Sequence, residues 1–177
     1  MRIDEGFIHV AVRCCLKENG WRLVAGQYPG GSDDECYALN VMDPALARDN
    51  SPDPRRHSNN KLVPDLFSVK GDVVLITEMK PRYSAKDEAK LSRLLTDRRE
   101  DLLCAMRKFA EERSIPEFTR PEDLTLVPSL GFRMGSHFPR NPTLVYFLVS
   151  GLDAVTVLPP ENMMASNVRD ALRGMCE

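Results

Sequence analysis

The chain of 177 residues has the usual size of one domain, and its 42% of hydrophobic residues are enough to build a core. The 28% of charged residues is ordinary for a soluble protein, which argues against a disordered tail, a collagen-like repeat or a small disulfide scaffold. The charges sum to 24 minus 26, or −2, so no overall positive field attracts a polyanion. Any binding of nucleic acid would therefore need a local basic face.

The apolar runs are short. None approaches the roughly 18 residues that a membrane span needs, and the first residues contain no apolar leader. The five cysteines are odd in number and include no CxxC pair. We therefore expect reduced thiols in a cytoplasmic protein that has no membrane partner.

Apolar periodicity predicts the elements in chain order. The predicted helices cover about 3–18, 84–113 and 161–173. The predicted strands cover 21–27, 36–42, 61–69, 72–80, 124–128, 143–149 and 154–158, and the first two are expected to pair as a hairpin. Residues 43–60 form a long polar loop, of a kind that is usually mobile or functional.

This order predicts an α/β (α+β) fold in which a mixed central β-sheet is flanked by helices. We expect a single domain over 1–177, with its core at about 3–113. Residues 120–177 would then complete the sheet and add a terminal helix.

The segment 61–80 carries the most informative pattern, because acids and a lysine flank its apolar strands. If a two-residue turn at 70–71 joins the strands, alternation of side chains puts Asp65 on the same face as Glu78 and Lys80. Asp65 and Glu78 then become diagonal neighbours, with Cα atoms roughly 7–8 Å apart. A three-residue turn would move Asp65 to the opposite face.

Two carboxylates at one edge of a sheet suit Mg²⁺, or Mn²⁺ in its place, because these hard cations prefer oxygen ligands. Such a metal polarises a phosphate and lowers the pKa of a bound water. A nearby ammonium, here that of Lys80, orients the water or offsets charge developing on the phosphate. Together these groups suit hydrolysis of a phosphodiester bond. The alternative is a surface salt bridge between Lys80 and one of the two acids.

The arrangement Pro64-Asp65, twelve intervening residues and Glu78-Met79-Lys80 resembles the motif of the PD-(D/E)xK nuclease superfamily. This superfamily includes restriction endonucleases and Holliday-junction resolvases. An acid-x-lysine triplet alone is weakly specific, but this copy ends an apolar strand and has Pro-Asp upstream at a pairable distance.

The resemblance covers roughly residues 3–113 and implies a restriction-endonuclease-like core. The residues to which it assigns a role are Asp65, Glu78 and the Met79 backbone carbonyl as metal ligands, and Lys80 as a catalytic residue. Many members add an acid from the first helix, and Glu5 stands in that place. The other role open to Glu5 is favourable negative charge at a helix N-terminus.

Further polar residues are weaker candidates. Four basic residues are candidate nucleic-acid contacts, with plain solvent exposure as the alternative. They are Arg55, Arg56, Arg82 and Lys86. A second triplet, Glu88-Ala89-Lys90, falls in a charge-rich helical stretch, and we interpret it as a solvated helix face. His9 stands among apolar helix positions and is interpreted as a core or boundary histidine.

We therefore expect a metal-dependent endonuclease that hydrolyses phosphodiester bonds, with DNA favoured over RNA by the frequency of the family's substrates. Cutting both strands of a duplex usually needs two sites, so a homodimer or a larger protein complex is expected. One alternative is a catalytically inactive nuclease-fold module for nucleic-acid binding or protein assembly. Another is an α/β interaction protein in which the motif match is accidental.

Overall fold

The computed structural model describes residues 3–29, 36–42, 61–162 and 165–176. The helices are α1 (Glu5–Glu18), α2 (Ala85–Leu95), α3 (Arg99–Arg113) and α4 (Ser166–Leu172). The strands are β1 (Arg22–Gly26), β2 (Val41–Met42), β3 (Lys61–Leu62), β4 (Leu66–Lys70), β5 (Val73–Met79), β6 (Thr125–Arg133), β7 (Val145–Gly151) and β8 (Ala154–Leu158).

Six strands form one mixed sheet in the order β1-β4-β5-β6-β7-β8, and β2 pairs with β3 in a separate ribbon. The pairs β5/β6 and β6/β7 are parallel, whereas β1/β4, β4/β5 and β7/β8 are antiparallel. This architecture confirms the predicted α/β (α+β) class with a mixed central sheet flanked by helices.

The sheet separates two apolar layers. One layer packs α1 and α4 against the sheet, with Ile8, Val12 and Leu172 of the helices among its buried side chains. The other packs α2 and α3 on the opposite face, with Leu91 and Met106 among its buried side chains. Alternation along β4 and β5 supplies apolar residues to both layers, because both faces of these central strands are covered.

Close approach of α1 to the sheet depends on a glycine. A Cβ atom at Gly131 of β6 would lie 3.0 Å from Cγ of Met79 and 3.1 Å from Cγ2 of Val12. Both contacts are tighter than ordinary van der Waals packing, so a side chain here would push the helix away from the strand end. The N-terminal half of α1 therefore lies close to the end of β5.

Three sequence predictions are corrected by the structure. The segment 36–42 is not the hairpin partner of β1, which pairs with β4 instead. The predicted helix over 84–113 is two helices that meet around residues 96–98, where a run of polar residues interrupts the apolar stripe. The predicted strand 61–69 is divided into β3 and β4 around Pro64, whose backbone nitrogen carries no hydrogen to donate.

None of the helices in the described ranges has the length and apolar character that a membrane crossing requires. The five cysteines all lie in the described part of the chain, and none is in a disulfide.

Candidate active site

The topology brings several chain segments to one edge of the sheet. The parallel strands β5 and β6 end at this edge, so the residues that follow them are neighbours. The antiparallel strand β4 begins there, which places the preceding residue, Asp65, beside the end of β5. The N-terminus of α1, capped by the Asp4 carboxylate on the amide of Phe7 at 3.0 Å, supplies Glu5 to the same edge.

The hairpin between β4 and β5 differs in register from the prediction. Lys70 pairs with Val73, so the turn residues are 71–72 rather than 70–71. The pairing is therefore shifted by two residues, which leaves every side chain on its predicted face. Leu66 pairs with Thr77, and continuing this register by one residue sets Asp65 directly opposite Glu78 instead of diagonal to it.

Asp65 is held firmly at the strand end. Its side chain is buried, and Oδ2 accepts a hydrogen bond of 2.7 Å from the backbone amide of Met79. Its backbone carbonyl accepts a hydrogen bond of 2.9 Å from the amide of Gln27, just beyond β1. Nε2 of the fully buried His9 lies 3.8 Å from Oδ2, consistent with the core position expected for that histidine.

Glu78 is the most deeply buried acid of the site, with 2% of its surface exposed. Oε1 lies 2.6 Å from Nζ of Lys90, which comes from α2. The same ammonium donates to the backbone carbonyl of Val63 at 2.7 Å. Lys90 therefore bridges β5 to the segment before Asp65.

Burial, and after it the negative charge of Asp65, raise the pKa of Glu78 to about 8 against the opposing effect of Lys90. Burial also raises the pKa of Asp65, although the hydrogen bond from Met79 acts in the opposite direction. The two carboxyl groups interact and titrate as a pair. Full ionisation of both is unfavourable unless more positive charge is brought between them.

Lys80 occupies the next position along the strand end. Its Nζ lies 2.5 Å from Oε1 of Glu5, and about a third of each side chain is exposed. Burial lowers the pKa of Lys80, but the hydrogen bond to Glu5 and the charges of Asp65 and Glu5 outweigh it, so the net pKa is raised. Lys80 is therefore held as an ammonium, which can donate hydrogen bonds but is not a general base at neutral pH.

The structure corrects the interpretation of the triplet Glu88-Ala89-Lys90 as a solvated face. Lys90 is largely buried on Glu78, and Glu88 accepts hydrogen bonds from the hydroxyl of Tyr83 at 3.0 Å and the amide of Asn141 at 2.8 Å. One signal in the sequence points to Lys90. It stands four residues before the buried Leu94 and so lies on the same side of α2, where it can meet a buried acid.

The candidate nucleic-acid contacts are distributed unevenly. Arg82 is exposed and lines a hollow together with Glu78 and Lys80. Lys86 is exposed in the first turn of α2 and is not among the residues that line this hollow. Arg55 and Arg56 lie outside the described residues.

The side chains at this edge can be compared with the ligands that a divalent metal needs. Within the described ranges, no cluster of three or more His, Cys, Asp or Glu side chains is arranged to hold a metal ion. Mg²⁺ needs only one or two carboxylates, because it keeps several waters. Asp65 and Glu78 supply hard oxygen donors. Their pKa values are raised first by burial and, for Glu78, also by the charge of Asp65, so a cation between them would favour their ionised forms. The pair therefore fits such a cation in its donor chemistry.

Comparison of the chain with protein-family models, with curated proteins and with solved structures found no significant match. The resemblance to the nuclease superfamily therefore stands on the motif residues and on their placement at one sheet edge.

Proposed function

We propose that this protein is a metal-dependent endonuclease that hydrolyses phosphodiester bonds of nucleic acid, with DNA favoured over RNA. The observation that carries the proposal is the meeting of Asp65, Glu78, Lys80 and Glu5 at one edge of the sheet. Asp65, Glu78 and Lys80 come from the two arms of the β4–β5 hairpin, and Glu5 comes from the distant helix α1. Together they combine buried acids with a cation. A structural salt bridge at the surface does not need two buried carboxylates beside each other.

In this proposal Asp65 and Glu78 hold Mg²⁺ or Mn²⁺, together with the Met79 backbone carbonyl. A metal bound there would polarise a phosphate and lower the pKa of a bound water. Glu5 is the acid that positions Lys80, since their side chains are paired at 2.5 Å.

Lys80 acts as a charged donor in this scheme. Its raised pKa keeps the proton on Nζ, so it orients the attacking water or donates to a phosphate oxygen that gains charge in the transition state. It takes no proton from the water. Because about a third of the side chain is exposed, Lys80 can reach a strand bound at the sheet edge.

The charge balance also bears on Lys90. With its ammonium 2.6 Å from Oε1, Lys90 compensates Glu78 in the absence of metal. Glu78 would bind a cation at the expense of this ion pair. Lys90 is therefore expected to weaken metal binding while it stabilises the metal-free protein.

The test is nicking of supercoiled plasmid in Mg²⁺ or Mn²⁺. We expect the wild type to nick, and we expect Lys80→Ala to reduce the rate by about 10²- to 10³-fold, the usual loss when one preorganised charge-stabilising donor is removed. Asp65→Ala is expected to abolish nicking in both Mg²⁺ and Mn²⁺. Lys108→Ala, at an exposed lysine of α3, is the matched control and should nick like the wild type.

One observation favours a second candidate, a nuclease-fold module that binds nucleic acid or assembles with proteins without turnover. Both Glu5 and Glu78 are already paired with lysines, so these two acids are compensated without a metal. Binding of DNA without cleavage in either metal, unchanged by Glu78→Ala, would establish this candidate and reject the nuclease.

A further inference from the structure

A second hollow lies at the same sheet edge, beside the candidate active site. It has a volume of about 320 Å³. Its lining residues are Arg82, Tyr83, Arg133, Gly135, Ser136 and His137, and we call it the arginine hollow. Arg82 also lines the hollow that contains Glu78 and Lys80, so the two hollows adjoin each other.

The topology explains why these residues meet. The segment 81–83 follows β5 and the segment 133–137 follows β6, and the two strands are parallel neighbours. The backbone amide of Arg133 donates to the carbonyl of Pro81 at 3.4 Å, which joins the two segments. Gly135 has φ +83°, and the amide of Ser136 donates to the carbonyl of Arg133 at 3.3 Å. This tight turn brings the chain back toward β5, and its positive φ favours glycine.

Aromatic packing fixes the wall of the arginine hollow. The ring of Phe138, next to His137, lies 4.9 Å from Phe132 and 4.8 Å from Tyr146, between centroids. The ring of Tyr83 lies 6.1 Å from the rings of both Phe132 and Phe138. Both segments are therefore anchored in the core on the α2 side of the sheet, and the polar groups that they carry are presented from a defined backbone.

Acids of the described residues form no ion pair with the two arginines of the hollow. Arg82 and Arg133 are both exposed, and in the part of the chain that the structure describes no carboxylate lies within ion-pair distance of either. Among the described residues, no acid lines the hollow itself, whereas Glu78 and Asp87 line the adjoining hollow together with Arg82. Glu88 accepts hydrogen bonds from the hydroxyl of Tyr83 and the side-chain amide of Asn141. A guanidinium presents paired N–H donors that match the oxygens of a phosphate.

We propose that the arginine hollow is a phosphate-binding subsite, which receives a phosphate of the nucleic-acid strand adjacent to the phosphate that reacts. The inference deepens the proposed function and rests on it for the position of the reacting phosphate. Arg133 and Arg82 bind the phosphate oxygens, and His137 and Ser136 supply further polar groups at the rim. These guanidinium groups can bind either an internal phosphodiester or a terminal phosphate at a strand end.

The experiment measures binding without turnover. Short fluorescent single-stranded DNA of one sequence, with either a 5′-phosphate or a 5′-hydroxyl, is titrated with protein in EDTA, and anisotropy gives Kd at several salt concentrations. We expect Arg133→Gln to weaken binding about tenfold at low salt, as for loss of a charge-assisted phosphate contact. The slope of log K against log salt should fall by about 0.7, the value for one phosphate contact on a single strand.

The matched control is Arg169→Gln, at an exposed arginine of α4 on the other face of the sheet, which should bind like the wild type. If Arg133→Gln weakens binding of the 5′-phosphate and the 5′-hydroxyl DNA equally, the subsite binds an internal phosphate. If it weakens binding of the 5′-phosphate DNA alone, the subsite binds the phosphate at a strand end. Arg133→Gln binding like the control, or a wild type that does not bind DNA at low salt, would overturn the subsite.

The binding assay separates this inference from the proposed function. If the wild type binds DNA through Arg133 but never nicks plasmid in Mg²⁺ or Mn²⁺, the subsite stands and the nuclease fails. If nicking requires Lys80 while Arg133→Gln binds and nicks like Arg169→Gln, the nuclease stands and the subsite fails.

Discussion

Two lysine–glutamate pairs meet at the candidate site, and they differ mainly in burial. The pair of Lys80 with Glu5 is about one-third exposed, whereas in the pair of Lys90 with Glu78 the acid is almost fully buried. Exposed pairs contribute little to stability, about 0–1 kcal/mol, whereas breaking a buried pair leaves a charge without its partner and costs several kcal/mol. The two pairs are therefore expected to respond differently when one partner is removed.

The largest change in stability is expected from Glu78→Gln, which removes the buried charge and keeps the side-chain shape. Because the folded-state pKa of Glu78 is raised from 4.5 to about 8, the wild type loses stability as the pH rises between these values. Above pH 8 the variant should unfold with a free energy higher by on the order of 3 kcal/mol, and below about pH 4.5 the difference should vanish.

Urea unfolding in EDTA across this pH range measures the effect. Glu112→Gln, at an exposed acid of α3, serves as the control and should show no comparable dependence on pH. A difference between Glu78→Gln and the wild type that stays constant from acid to alkaline pH would contradict the assignment of the cost to ionisation of Glu78.

Lys90→Ala is expected to act in the opposite direction to Glu78→Gln. It leaves Glu78 without its cation and the carbonyl of Val63 without its donor. We expect a loss of about 2 kcal/mol in the free energy of unfolding above pH 8, and a smaller loss near pH 6, where Glu78 is protonated. Lys80→Ala should cost less than about 1 kcal/mol at either pH, since its pair is exposed. Equal losses for the two lysine variants in urea unfolding would remove the distinction between the pairs.

The smallest change in stability is expected from Glu5→Gln. This variant keeps a hydrogen-bond acceptor beside Lys80 but removes the charge. Since Lys80 would be held less firmly, plasmid nicking should slow by about tenfold. Stability should change by less than about 1 kcal/mol. Glu18→Gln, at the exposed other end of α1, is the matched control for initial nicking rates. An unchanged rate for Glu5→Gln would leave Glu5 only its favourable charge at the helix N-terminus.

Local patterns in the sequence were sufficient for the elements that depend on neighbouring residues. The hairpin of β4 and β5 was predicted with the correct faces although its turn lies one residue later, because a register shift of two residues preserves alternation. The helix over 84–113 was wrong at its middle, since residues 96–101 contain no apolar residue to continue the buried stripe.

Pairings between distant segments could not be predicted in the same way. β1 (Arg22–Gly26) pairs with β4 (Leu66–Lys70), which follows it much later in the chain than the expected partner 36–42. Nothing in the residues of 36–42 excludes a hairpin with β1. The arginine hollow was equally hidden, because Arg82 and Arg133 become neighbours only when β5 and β6 align in parallel.

The sequence by itself determined the α+β class and the shared face of Asp65, Glu78 and Lys80, because these follow from periodicity and residue type. The chemistry predicted for the two acids and the lysine stays a prediction. Only the tertiary structure decided which cations meet those acids and which loops border them. Burial and parallel strand order are properties of the packed chain, so the pairing of Glu78 with Lys90 and the meeting of Arg82 with Arg133 appear only once the sheet and its helices are assembled.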